Sequence, residues 1–252
     1  MPTTRITAII NQKGGVAKTT TAHALVTGMM LRGYRVLVID ADPQGNISDT
    51  MGADTSLPGV YNAFCGDDES ELIQHTDQGD IMASNRNLVG ADRQFTDIGR
   101  EYLLRDAIAK ISGQYDHVII DCPPTINIIT INALTAADDI IVPVGADIYS
   151  LQGMGQLFEN VGKVQRFSNN SLKVAGLLIC RKSGRAVLTR QFTSTIEDIA
   201  QRYHITLYKQ TIREAIAVKE AQAQHSSIFV THAKANVTAD YAAFIDEYLA
   251  QE

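Results

Sequence analysis

Five stretches of the chain carry apolar runs without alternation and are short enough to be strands. They are ITAIIN (6–11), RVLVID (35–40), HVIID (117–121), DIIVPV (139–144) and LKVAGLLIC (172–180), with a weaker sixth, DIMAS (80–84). A run without alternation fits a strand covered on both faces, not one with a face in water. Between these runs the period lengthens to that of a helix. Helices are predicted over 19–32, ended near Gly33, then over 101–111, 150–167, 187–203 and 238–249. In the second of these, Leu103, Leu104, Ile108 and Ile111 share one face. Residues 41–80 are polar and Gly/Asp-rich, and read as loop with short helices. Strands alternating with helices predict an α/β fold: a doubly wound, mostly parallel sheet with helices on both faces. No linker-like tract or internal repeat divides the chain, so a single domain over 1–252 is expected.

In such sheets ligands bind at the carboxyl ends of the strands. Three chemical groups stand there. The first strand runs into NQKGGVAKTT (11–20). Gly14 and Gly15 allow close approach of backbone N–H groups to an anion, Lys18 is placed to meet phosphate, and Thr19 to offer a hydroxyl to Mg²⁺. The strict phosphate-loop pattern fails twice, because Gln12 and Ala17 stand where it has glycine. A second lysine, Lys13, would be repelled by Lys18 unless a polyanion lies near, or else points away toward a neighbouring subunit. The second strand ends in Asp40-Ala41-Asp42, whose carboxylates would share one side of an extended chain. Asp121 closes the third strong strand, ahead of Cys122, Pro123 and Pro124, where an acid can hold Mg²⁺.

Charge changes this picture at one place. The chain carries −6 overall, which argues against a dedicated nucleic-acid binder, yet residues 160–225 hold eleven Lys/Arg against four Asp/Glu. Cys65, Cys122 and Cys180 form no CxxC pair, and the six histidines lack metal-ligand spacing. There is no G-x-S-x-G elbow and no G-x-G-x-x-G after a strand. The first apolar run is too short for a signal peptide, and no stretch has transmembrane length, so an intracellular protein is expected.

The segment Lys13-Gly14-Gly15-Val16-Ala17-Lys18-Thr19-Thr20 resembles the deviant Walker A motif, K-G-G-x-x-K-[TS], of the ParA family of partition ATPases. VLVIDADPQGN (36–46), YDHVIIDCPP (115–124), GLLICRKSGRAVLTRQ (176–191) and TIREAIAVKEAQAQHSSI (211–228) resemble that family's further motifs, so the likeness runs nearly end to end. It implies a P-loop NTPase that takes ATP and Mg²⁺, dimerises on ATP and hydrolyses it slowly under partner stimulation. Residues 13–20 would bind nucleotide, together with Arg181, Ile212 and Arg213. Lys13 would reach the partner subunit's phosphates, Lys18 would serve its own, and Asp42 would orient the attacking water. Thr19, Asp42 and Asp121 would form the metal set. The resemblance also implies non-specific DNA binding, a ParB-type partner and a cytoplasmic, nucleoid-associated protein. Arg185, Arg190, Lys209 and Lys219 are then the expected DNA contacts.

Two residues depart from the family's pattern. Ala17 replaces a glycine; it fits if its backbone is right-handed helical and fits badly if φ is positive. Arg181 stands where the family often has an apolar or amide residue near adenine. With the first strand at residue 6, the small form without an N-terminal helix-turn-helix is expected, and with it no autorepression. The same machinery could instead position a protein cluster or a conjugative element. A Min-type membrane ATPase is disfavoured, because TADYAAFIDEYLAQE (238–252) has no Lys or Arg and should pack on its own domain with no membrane contact. A nitrogenase-type reductase or a small carboxylating synthetase on the same fold is a further alternative, although Cys122 and Cys65 are badly placed for a cluster.

Overall fold

The computed structural model describes residues 4–145, 153–181 and 186–251, with the backbone alone for 186–191. The strands are β1 (Arg5–Ile9), β2 (Val36–Asp40), β3 (Ile73–Thr76), β4 (Gly79–Met82), β5 (His117–Asp121), β6 (Asp139–Gly145) and β7 (Lys173–Cys180). They form one sheet in the order β3-β4-β2-β5-β1-β6-β7. Every neighbouring pair is parallel except β3 with β4. The helices are α1 (Lys18–Met30), α2 (Asn46–Thr50), α3 (Val60–Cys65), α4 (Ala91–Gln94), α5 (Leu103–Ile111), α6 (Ile128–Ala136), α7 (Met154–Phe167), α8 (Ala186–Tyr203), α9 (Ile216–Ala223), α10 (Ile228–Thr231) and α11 (Asn236–Leu249).

The unbroken apolar runs are explained by two cores, one on each face of the sheet. Alternate residues Leu37, Ile39, Val118, Ile120, Ile140 and Val142 join Leu104, Ile108, Leu134 and Leu157 on one face. Their neighbours Val36, Val38, Ile119, Ile141 and Leu178 join Leu25, Met29, Phe244 and Tyr248 on the other. Each such side chain contributes about 1.5–3 kcal/mol on full burial. Helix α11 therefore spends its apolar face on this core, with Val237, Tyr241, Phe244, Ile245 and Tyr248 buried. Among the described residues, no helix is long and apolar enough to cross a membrane.

All six expected strands are present. The first is shorter than ITAIIN, because Asn11 leaves the ladder to bond Pro143 O at 2.7 Å through its side chain. The first part of the helix expected over 150–167 lies outside the described residues. Strand β3 and helices α6 and α9 are additions to the sequence reading.

Candidate functional site

The parallel register brings the strand-end groups together. Ile9 is paired with Asp121, and Asp121 with Asp40, so the last residues of β1, β5 and β2 lie side by side. The loop after β1 rises directly above these acids. Asn11 fixes its start: the Asn11 amide holds Pro143 O, and its side-chain oxygen accepts the Lys13 N–H at 2.9 Å. The loop then turns at Gly15, with φ of 74°, and enters α1 through Ala17. Ala17 provides no side-chain cap, so the first-turn N–H groups of a 13-residue helix face the loop without one. Such a terminus carries partial positive charge and suits an anion. Lys18, buried in that first turn, donates to Lys13 O at 3.1 Å.

Ala17 has φ 72° and ψ 29°, the left-handed region. Of the two cases left open by the sequence, this is the unfavourable one. A Cβ in this region costs about 1–2 kcal/mol relative to the right-handed form, a cost glycine escapes.

Asp40 and Asp42 do not share one task. Asp40 is fully buried and accepts from Ser48 Oγ at 2.6 Å and Ser48 N at 3.0 Å, so it pins the start of α2. Burial raises its pKa to about 7, against the lowering effect of Ser48, and the Asp42 charge adds to the rise. Asp42 instead lines the cavity, and its carboxylate accepts only the Gln44 N–H, at 3.0 Å, among the described contacts. Asp121 is buried, and neither of its oxygens has a hydrogen-bond partner. The Thr19 hydroxyl is close enough to favour the charged form by hydrogen bonding, although the geometry falls short of a full bond. Burial, then the Asp40 charge, pushes the Asp121 carboxyl well above the usual range, while Thr19 and Lys18 oppose this. Burial likewise lowers the Lys18 ammonium, and Asp121 and Asp42 partly restore it. A buried lysine and a buried, unsatisfied carboxylate under a glycine loop are costly unless a ligand completes them.

A cavity of about 410 Å³ opens above this group. Gly14, Gly15, Ala17, Lys18, Thr19, Thr20, Asp42, Arg181, Ile212 and Arg213 all line it. Val16 is buried behind the loop, Asp121 lies beneath, and Lys13 is half-buried and not part of the lining. Arg181 donates to Gly15 O at 2.8 Å and to Glu214 Oε1 at 2.8 Å. Arg213 points its guanidinium at Asp240 of α11, at 2.6 and 2.8 Å, and so braces the far wall. Gln222 reaches Thr20 Oγ1 at 3.3 Å and closes the wall against α1. Glu214, Val218, Gln222 and Tyr241 are lining residues that the sequence did not single out; Gln222 and Tyr241 reach α1 across 202 and 220 residues.

The expected DNA contacts are not one group. Lys219 lines the cavity. Lys209 is exposed, and its N–H bonds Glu247. Arg185 lies outside the described residues, as does the side chain of Arg190.

A strand, a glycine loop and a helix N-terminus set over strand-end carboxylates define a P-loop nucleotide-binding protein of the α/β class. The comparisons agree. Residues 4–174 match the AAA domain family. The sporulation initiation inhibitor protein Soj of Bacillus subtilis is 35% identical over 232 residues, covering 90% of each chain. The chromosome partitioning protein ParA of Caulobacter vibrioides is 32% identical over 256 residues, covering 98% of this chain and 95% of the relative. A crystal structure from Mycobacterium smegmatis, described as cobyrinic acid a,c-diamide synthase with bound ADP and magnesium, aligns with a TM-score of 0.86 at 34% identity, covering 98% of this chain and 95% of that one. The chain belongs to the ParA/Soj family of chromosome-partitioning ATPases.

Proposed function

We propose that this protein is an ATP-dependent, dimerising switch that binds DNA without sequence preference and drives partition of a plasmid or chromosome with a ParB-type partner. One observation carries the reading: buried Lys18 and the unsatisfied Asp121 carboxylate meet beneath an uncapped helix N-terminus. That arrangement fits a nucleotide phosphate with a divalent cation, and the Mycobacterium smegmatis relative was solved with ADP and magnesium.

In this reading the N–H groups of residues 14–20 and the Lys18 ammonium bind the phosphates. Thr19, Asp42 and Asp121 would hold Mg²⁺, which when bound supplies positive charge to the phosphate oxygens. Asp42, whose carboxylate reaches the cavity, orients the attacking water. Ile212 and Arg213 flank the base, with Arg213 held by Asp240. Lys13 stands outside the cavity lining, which supports its serving the nucleotide of a second subunit. A lysine supplied in trans acts by the same electrostatics as an arginine finger, worth about 10³–10⁵ in rate.

The Mycobacterium smegmatis name favours a second reading, an ATP-dependent synthase with the same nucleotide site. The two separate on what stimulates hydrolysis: DNA and a DNA-bound partner, or a small carboxylic acid with an amide donor.

The lysines test the division of roles. Lys18→Ala should weaken ATP binding by about tenfold or more, as loss of a charged phosphate contact does. Lys13→Ala should leave ATP affinity within about threefold and lower stimulated hydrolysis by about 10²-fold or more. Equal loss of nucleotide affinity in both variants would contradict the assignment.

A further inference from the structure

Four non-glycine residues among those described have positive φ: Ala17, Arg181, His204 and His225. His204 and His225 follow the ends of α8 and α9, where a left-handed residue commonly closes a helix. Ala17 and Arg181 have a different setting. Ala17 opens a helix and Arg181 follows a strand, at φ of 72° and 57°. Left-handed backbone at such positions persists only where the surroundings impose it.

The two are joined through one hydrogen bond. The Arg181 guanidinium donates to the carbonyl of Gly15, two residues before Ala17, across 166 residues of sequence. Its other nitrogen is held by Glu214 at 2.8 Å. One planar group thus grips the loop with one arm and the far wall with the other. A guanidinium suits this task, because its donors keep a fixed geometry that an ammonium lacks. Gly15 itself has φ of 74°, so the carbonyl that Arg181 holds belongs to a left-handed residue separated from Ala17 by Val16 alone.

We propose that Arg181 is a positioning residue: anchored by Glu214, it holds Gly15 and thereby keeps the loop in the left-handed conformation that Ala17 disfavours on its own. Ala17 and Arg181, the two described non-glycine left-handed residues that do not close a helix, are therefore one compensated pair. A glycine at 17 would adopt this conformation unaided and would not need the brace. The proposal rests on the nucleotide reading for its functional consequence: a loop already ordered when empty loses less freedom on binding. Its conformational part does not depend on that reading.

A double-mutant cycle tests it. Arg181→Ala keeps a Cβ at φ 57° and removes the side chain beyond it, guanidinium included, so the backbone cost at 181 is unchanged while the brace is lost. In the native background it should weaken ADP binding about tenfold, and lower the ligand-free thermal midpoint by about 2–4 °C, the size expected for a chain of this length. In an Ala17→Gly background the same change should weaken ADP binding no more than about threefold, and the midpoint loss should fall by at least half. Glu214→Gln should reproduce Arg181→Ala, and the two together should cost no more than either alone. Equal costs of Arg181→Ala in both backgrounds, in binding and in midpoint alike, would overturn the proposal and leave Arg181 an independent contact. If the native protein bound no ADP or ATP, the nucleotide reading would fall, and the ligand-free midpoint cycle would still decide on the brace.

Discussion

Asp121 is a carboxylate kept at a cost: buried at the end of β5, it has no hydrogen-bond donor on either oxygen, and Asp40 stands beside it in the adjacent strand. Asp121→Asn removes the charge and keeps the shape. The variant should change ligand-free stability at pH 8 by no more than about 1 kcal/mol, because relief of the crowding with Asp40 is offset by loss of the charge that favours buried Lys18. It should also lose about 10²-fold or more of Mg²⁺-dependent hydrolysis, as loss of a metal ligand does. Urea unfolding and phosphate release measure the two effects; a destabilised variant with full activity would show that Asp121 is a structural acid. The sequence carried Asp121 because a strand-ending acid is a local pattern. It also carried Lys18, Thr19 and Asp42. It could not carry the φ of Ala17, which is set by how the loop closes over β1 and α1, nor the Arg181–Gly15 bond, which joins distant parts of the chain. Nor could it carry the separate setting of Asp40, whose carboxylate accepts from Ser48, eight residues on.

At the scale of elements, strands buried on both faces were legible because burial leaves an unbroken apolar run. Strand β3 was not, because Ile73–Thr76 sits on the sheet edge, half-buried or exposed, and reads IQHT. Helix α6 was missed for the opposite cause. Its IITINALTA is buried on nearly every side, so no apolar stripe marks its period. Helix α1 lies against the sheet in the same way and holds a titratable group inside. His23 is buried, and its Nε2 lies 2.9 Å from Gln78 Oε1. Burial lowers its pKa from 6.5 to about 4, with Gln78 opposing. The folded form thus prefers neutral His23, and the unfolded chain binds the proton first as pH falls. Stability from this group is complete above pH 6.5 and is lost as pH falls through about 4. The loss should total roughly 3 kcal/mol at 1.36 kcal/mol per pKa unit. His23→Gln should flatten the stability profile across that window, read by urea unfolding at several pH values; an unchanged slope would place the acid sensitivity elsewhere.

For the whole molecule, the basic excess over residues 160–225 is smaller in effect than its count suggests. Lys163 is paired with Glu159, Arg181 with Glu214 and Arg213 with Asp240, so these three are committed within the chain. Lys209 and Lys219 are exposed among the remainder. A chain of net −6 should hold DNA weakly as a monomer, and two copies would double the positive face. DNA retention should therefore follow nucleotide-driven pairing and fall steeply with salt. The most direct test is co-sedimentation of the protein with a long duplex of arbitrary sequence at low salt, with ATP, with ADP and with neither. The account predicts retention with ATP alone, lost as salt is raised to about 0.2 M. Retention that is equal in all three conditions, or absent with ATP at low salt, would contradict it.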